Sequence, residues 1–286
     1  MVATTPPLIV EKPTPSLPLR YGLLQAAVGP LDLPVHARTG GIKYVDAVCG
    51  HGDPYEPECP PANLNSKASF FGLGLEVVTG VPFLITATVE CGTVGYTYDE
   101  QRAFVMERLK SVEQGEVEAV FSTGAVAQSP ALLTTSGIIT VTGAGDTLTD
   151  VLGELERARY CGFTGNLTKY GPPGYLHVAI PVFNKLKELH LIEFDGTRWR
   201  TAIGTVVSTG CYANNTPAGA APADGVFWMY ITGQTTVWRT PDSQVQIAPV
   251  EGSLNRTTNQ MMMLAEREYI VTYECGGFAK AVTLWT

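Results

Sequence analysis

Tyr269-Ile270-Val271-Thr272-Tyr273 and Phe278-Ala279-Lys280-Ala281-Val282-Thr283-Leu284 stand on either side of Gly276-Gly277. Both runs are rich in β-branched and aromatic residues and flank a glycine turn, so they predict a pair of strands. Ahead of them come the polar, turn-prone Asn255-Arg256-Thr257-Thr258-Asn259 and then Met261-Met262-Met263-Leu264-Ala265-Glu266-Arg267. Nothing in this region offers catalytic chemistry. A long apolar hairpin with its charge at the entrance builds a packed surface.

Upstream of this stretch the pattern stays strand-like back to Trp199. Strands are predicted over Thr201–Ser208, Val226–Ile231, Thr235–Arg239 and Val245–Val250, with a small-residue loop from Ala213 to Pro222. Helices come earlier. Thr97-Tyr98-Asp99-Glu100 has the form of a capping box, and Ala103, Met106, Leu109, Val112, Glu113, Val117, Val120 and Phe121 follow at helical spacing. A helix over about 98–121 is therefore predicted, with Gly115 as a weak point that tertiary packing must offset. A second helix, capped at Asp146, carries Leu148, Val151, Leu152, Leu155 and Ala158, and Gly162 ends it. A strand over His177–Ile180 runs into a short helix opened by Pro181.

The front of the chain is different. Residues 1–20 hold five prolines and no periodicity, which reads as an extended arm. Residues 50–75 are rich in Gly, Pro, Asn and Ser and approach an apolar tip, Phe70-Phe71-Gly72-Leu73. A polar loop of that length is unusual in a lone domain, and its tip needs a surface to sit on. A strand over Val81–Val89 follows. Arm, long loop, long helix, mixed middle and final strands make an α+β organisation with no internal repeat.

Composition narrows the function classes. Only 16% of residues are charged against 45% hydrophobic, with 30 glycines and 20 prolines. A surface so poor in charge suits a subunit that buries much of its exterior against neighbours. The net charge of -8 argues against sequence-specific nucleic-acid binding, which needs a basic face. No apolar stretch is long enough to span a bilayer, and Met1 to Leu19 lacks the basic and apolar regions of a signal peptide. The expectation is a protein made in a cytoplasm and not bound to membrane.

The sequence holds few groups arranged for chemistry. There is no Gly-x-Ser-x-Gly elbow, His-Glu-x-x-His motif or P-loop. Gly143-Ala144-Gly145-Asp146 reads as a turn and N-cap, since an aspartate there would repel phosphate. Cys49-Gly50-His51 with Cys59 is the one cluster resembling a metal site, and it falls short of four closely spaced ligands. In a reducing cytoplasm Cys49 and Cys59 are expected as free thiols, and Cys91, Cys161, Cys211 and Cys275 as small core residues. His177 and His190 read as structural. Glu113, Glu116 and Glu118 read as a solvated or intersubunit charge row, with Glu116 and Glu118 on different sides of the helix. No enzyme, cofactor or metal is expected. A β-rich hydrolase would need convergent polar groups that this pattern does not place.

The order of segments resembles a tailed-bacteriophage major capsid protein of the Hong Kong 97-type fold. The resemblance covers almost the whole chain and is carried by the order of its motifs. Segments similar to those of actinophage-type subunits are Leu23-Leu24-Gln25-Ala26-Ala27, Thr79-Gly80-Val81-Pro82-Phe83 with Cys91, and the helix from Arg102-Ala103 through Gln114-Gly115-Glu116-Val117-Glu118 to Ser122-Thr123-Gly124. Tyr230-Ile231-Thr232-Gly233 and Arg256-Thr257-Thr258-Asn259 with Leu264-Ala265-Glu266-Arg267 complete the series. The resemblance implies an N-terminal arm over 1–44 and an extended loop over 45–90 lying on a neighbouring subunit. It implies a peripheral domain with a spine helix over 91–139, an axial domain over 140–250 and peripheral return strands over 251–286.

It further implies self-assembly into pentamers and hexamers of an icosahedral shell, with scaffold, portal and decoration proteins as possible partners. The protein would reside in the virion after synthesis in a bacterial host's cytoplasm. Intersubunit contacts would fall at Phe70, Phe71, Leu73, Glu113, Glu116, Arg256, Glu266 and Arg267. Some shells of this fold join a loop lysine to a neighbour's asparagine, for which Lys67 and Asn255 or Asn259 would stand, although no catalytic carboxylate matches. The alternatives are an encapsulin-type nanocompartment shell protein and another virion part, a tail or connector protein.

Overall fold

The computed structural model describes residues 20–46, 76–92, 96–127, 130–134, 137–143, 145–161 and 174–285. Its strands in chain order are β1 (Val28–Asp32), β2 (Ile42–Asp46), β3 (Glu76–Gly80), β4 (Phe83–Gly92), β5 (Ile138–Thr140), β6 (Tyr175–Ala179) and β7 (Ile192–Phe194). Then follow β8 (Trp199–Thr201), β9 (Val206–Gly210), β10 (Val226–Thr232), β11 (Thr235–Arg239), β12 (Gln246–Pro249), β13 (Gln260–Tyr273) and β14 (Gly277–Thr283). The main helices are Tyr98–Thr123, Leu148–Cys161 and Ile180–Glu188. The mixture of helix and sheet agrees with the α+β expectation.

The strands form two large sheets and one small one. In the five-stranded sheet β13 is the centre: β4 runs along one edge, while β11 and β12 share the other, and β1 joins beyond β11. The seven-stranded sheet has the order β5-β14-β10-β6-β9-β8-β7. β2 and β3 pair antiparallel, from Ile42 opposite Gly80 to Asp46 opposite Glu76.

The final hairpin is the main correction. β13 and β14 do not pair, because β13 has both edges taken in one sheet and β14 is held between β10 and β5 in the other. Gly276-Gly277 serves a crossover between sheets. A Cβ on Gly277 would lie 2.6 Å from Ile138 Cδ1 and 2.8 Å from Ile231 O, so glycine is what lets the chain enter the second sheet at that point. The Met261–Arg267 run belongs to β13, which is 14 residues long.

The expected boundary at 250/251 therefore cuts across both sheets: β11 and β12 pair with β13, whereas β14 pairs with β10. Likewise β4, which starts inside the 45–90 segment and ends at Gly92, is a full member of the five-stranded sheet. The single strand expected over 201–208 is two, because Gly204, at φ 97, turns the chain between β8 and β9.

The long helix forms as its sequence directs. Thr97 accepts from the Glu100 amide at 3.3 Å and the Glu100 carboxylate accepts from the Thr97 amide at 2.7 Å, while Gly124 closes the other end in a left-handed conformation. Its buried face is rotated from the expected one. Val105, Leu109, Val117 and Phe121 are buried with Gln101, Glu113, Gln114, Glu118 and Ser122, whereas Ala103 is exposed. Burying each of those four apolar side chains contributes about 1.5–3 kcal/mol. Helix 148–161 is capped by Thr147, whose hydroxyl accepts from the Asp150 amide at 3.3 Å. Asp146 instead holds Thr283 of β14.

Two apolar cores meet at the seven-stranded sheet. Tyr230 and Ala279 face the core built by the long helix and the five-stranded sheet. Their strand neighbours Met229, Ile231, Phe278 and Val282 face the core built by helices 148–161 and 180–188. The strand period of two thus sends alternate residues of β10 and β14 into opposite cores and fixes the sheets to each other.

Candidate assembly surface

The long helix is tied to β13 by a chain of charges. Glu113 Oε2 accepts from Arg267 Nη1 at 2.6 Å and from Tyr269 Oη at 2.5 Å, and Arg239 Nη1 lies 3.4 Å from Oε1. The second terminal nitrogen of Arg267 reaches Asp242, whose other oxygen is 2.7 Å from Lys110 Nζ. The hydrogen bond from Lys110 holds the Asp242 carboxyl below its ordinary value. Burial pushes the Tyr269 hydroxyl up, and the adjacent Glu113 carboxylate adds to it. Arg267 is 1% exposed and Glu113 6%. Both were expected at intersubunit contacts; within one chain each is enclosed and bound to the other.

A second buried carboxylate fastens the segment ahead of β1. Glu118 is fully buried, and its Oε1 accepts from the Leu23 amide at 2.9 Å and from Gln114 Nε2 at 3.1 Å. Its Oε2 accepts from the Cys211 amide at 2.8 Å. Burial raises its pKa, and the three hydrogen bonds pull in the other direction. Glycines make the space: a Cβ on Gly210 would overlap Glu118, and one on Gly22 would overlap Gln114. Thus one carboxylate joins the Leu23 segment, the long helix and the end of β9. The charge row expected over Glu113, Glu116 and Glu118 is corrected accordingly, with Glu116 alone of the three exposed.

The rest of segment 20–46 follows both sheets. Tyr21 packs among Phe183, Phe194 and Trp199, with ring centroids 5.5–6.3 Å away, and Arg20 lies over its ring. β1 pairs in parallel with β11, and Leu33 and Ala37 pack on Ile270. Arg38 Nε is 3.1 Å from the Glu268 carboxylate. Gly80, at the end of β3, leaves room for the Ile270 and Thr272 side chains, so β3 lies close against β13.

The remaining expected contact residues divide by exposure. Glu116 lines an open cleft of about 480 Å³ between β4 and the long helix, shared with Leu84, Thr86, Arg108, Val112 and Val126. Arg256 is exposed, and Glu266 is half-buried beside Arg38, Gln246 and Glu268. Phe70, Phe71, Leu73 and Lys67 lie outside the described residues, as do Cys49, Cys59 and Gly162. Sequence reading missed Asp242 and Tyr21 and gave Glu118 a different role; the glycines at 22 and 210 carry no spacing signal that would have pointed to its clamp.

His177 is structural, as expected. It is fully buried, with Nε2 3.0 Å from Thr232 Oγ1 and Nδ1 3.4 Å from Tyr212 Oη, and burial lowers its pKa to about 3. Cys161 and Cys211, expected in the core, are exposed; Cys275 is buried as expected and is disulfide-bonded. Among the described residues no group of three or more His, Cys, Asp or Glu side chains could hold a metal, and no helix is long and apolar enough to cross a membrane.

No protein-family model and no curated protein matches this sequence. Solved structures do match the fold over nearly its whole length. The capsid of an empty GTA particle aligns with a TM-score of 0.56 at 13% identity, covering 98% of this chain and 95% of that one. The chain has a phage-capsid fold. The head structure of Helicobacter pylori bacteriophage KHP40 aligns at 0.52 with 8% identity, covering 96% and 93% of the two chains. The capsid of Ralstonia phage GP4 aligns at 0.51 with 10% identity, covering 100% and 98%. In the capsid fold of this chain, the Glu113 and Glu118 attachments are internal braces, and the half-open face of β4 is surface.

Proposed function

We propose that this chain is the major capsid protein of a tailed bacteriophage, of the Hong Kong 97 type, and that it assembles into the icosahedral shell around the genome. The observation that carries the reading is coverage: capsid chains align with it nearly end to end, at 98% and 95% for the GTA capsid. The order of motifs supports an actinophage-type subunit. In this reading residues 1–44 are the arm and the β2–β3 hairpin opens the extended loop. The long helix is the spine of a peripheral domain formed with the five-stranded sheet. The seven-stranded sheet and helices 148–161 and 180–188 form the axial domain.

The role is structural and not catalytic. Copies join as pentamers and hexamers, spreading association over many contacts so that the shell holds although each contact is modest. Phe70, Phe71 and Leu73 of the loop, with Glu116, Arg256 and Glu266, supply contacts between copies; Glu113 and Arg267 brace the subunit. Net charge of -8 keeps the inner wall from adhering to packaged DNA. Scaffold, portal and decoration proteins are its partners in the virion, after synthesis in the bacterial cytoplasm. Sedimentation velocity of the purified chain tests this: capsomers or shells are expected. A chain that remains a monomer when its scaffold is supplied would refute it.

A further inference from the structure

We propose that the cleft between β4 and the long helix receives residues 8–12 of a neighbouring copy as an added strand, an inference that rests on the shell reading. Among the described residues β4 pairs with β13 alone, so its other edge presents a row of backbone donors and acceptors. The consecutive residues Leu84 to Thr88 line the cleft, which brings together both faces of the strand, as an edge does. Leu84 is 47% exposed and Val126 67%, so apolar surface stands open at one end.

The wall opposite this edge is a row of the long helix: Arg108, Val112, Glu116 and Val120. Its members rise by about 6 Å, close to the roughly 6.6 Å between alternate residues of a strand. An extended segment that offers a cation followed by apolar residues at alternate positions fits that row. Leu8-Ile9-Val10-Glu11-Lys12 offers it, between Pro7 and Pro13, which limit ladder pairing to these five residues. Lys12 meets Glu116, Val10 meets Val120 and Leu8 reaches Val126. Ile9 and Glu11 then project beside Thr86 on the outer face. Recognition combines backbone hydrogen bonds with side chains at alternate positions, as in strand addition generally.

The donor is a second copy because of where the arm is anchored. Tyr21 is fixed among Phe183, Phe194 and Trp199, at the β7–β8 end of the seven-stranded sheet. Leu23 is bound by Glu118, on the opposite side of the long helix from Glu116. The cleft is thus across the helix from the arm of the same chain.

Assembled particles of the full chain carrying Ile9→Cys and Thr86→Cys, treated with a short thiol cross-linker, test the proposal on a denaturing gel. Covalent dimers and longer ladders that require both substitutions are expected, above the background set by exposed Cys161 and Cys211 in the parent chain. Charge reversal checks the register: Glu116→Lys alone should reduce the yield severalfold, and Lys12→Glu added to it should restore the yield. Cross-linking confined to single chains would overturn the proposal. So would ladders formed by Ser66→Cys with Thr86→Cys and not by Ile9→Cys, which would give the cleft to residues 47–75. Particles that assemble without the cross-link overturn this inference alone, whereas failure to assemble with scaffold present overturns the shell reading.

Discussion

Arg267 of β13 donates to Glu113 of the long helix at 2.6 Å, joining two residues 154 positions apart inside the protein. Taking two charges out of water is costly, and here the cost is offset by close geometry and by Tyr269, Arg239 and Asp242 around the pair. Removing one member leaves the other buried and uncompensated. Glu113→Ala or Arg267→Ala should each destabilise the subunit by about 3–5 kcal/mol. The double variant Glu113→Leu with Arg267→Met should lose less than either single change, as measured by urea unfolding of the purified chain.

Glu118 sets part of the pH dependence. Burial lifts its carboxyl above the ordinary glutamate value, so the folded chain holds this proton to higher pH than the unfolded chain does. Between the unfolded value and the raised folded one, its contribution to stability falls as pH rises. Glu118→Gln removes that slope. The stability of the parent chain minus that of the variant should decrease from acid toward neutral pH, and an increase would contradict the assignment.

His177 acts with the opposite sign. Its pKa is lowered from 6.5 to about 3, so between those values the unfolded chain takes a proton that the folded chain refuses. Stability should therefore fall as pH falls below 6.5, by up to about 1.4 kcal/mol per pH unit. The imidazole resonances of His177 should stay flat from pH 4 to 8; a midpoint near 6 would mean that the ring is solvated.

Glycines beside Glu118 can be compared with one that does nothing there. Gly210→Ala and Gly22→Ala push a methyl into Glu118 and Gln114 and should each cost about 1–3 kcal/mol. Gly22→Ala should also speed proteolysis after Arg20. Gly153, exposed in helix 148–161 with nothing within 4 Å of an added Cβ, should gain about 0.5–1 kcal/mol as alanine. Thermal unfolding of the three variants orders them.

What the sequence made legible was local. The capping box at Thr97 and Glu100, the strand Thr235–Arg239 and the Pro181 helix start are matters of neighbouring residues, and they stand where expected. Pairing is not local. A glycine pair between two apolar runs has one preferred reading, a hairpin, yet β13 and β14 each find better partners in different sheets. Buried polar contacts were the least legible. Glu113 and Glu118 look like solvated helix positions until Arg267, Leu23 and Cys211 arrive from distant parts of the chain.

Electron cryo-microscopy of the purified chain, produced alone and with its scaffold, tests the central claim most directly. Closed icosahedral particles, or pentamers and hexamers with β4 facing a neighbour, are the predicted result. Monomers under both conditions, or rings and tubes in place of closed shells, would contradict it.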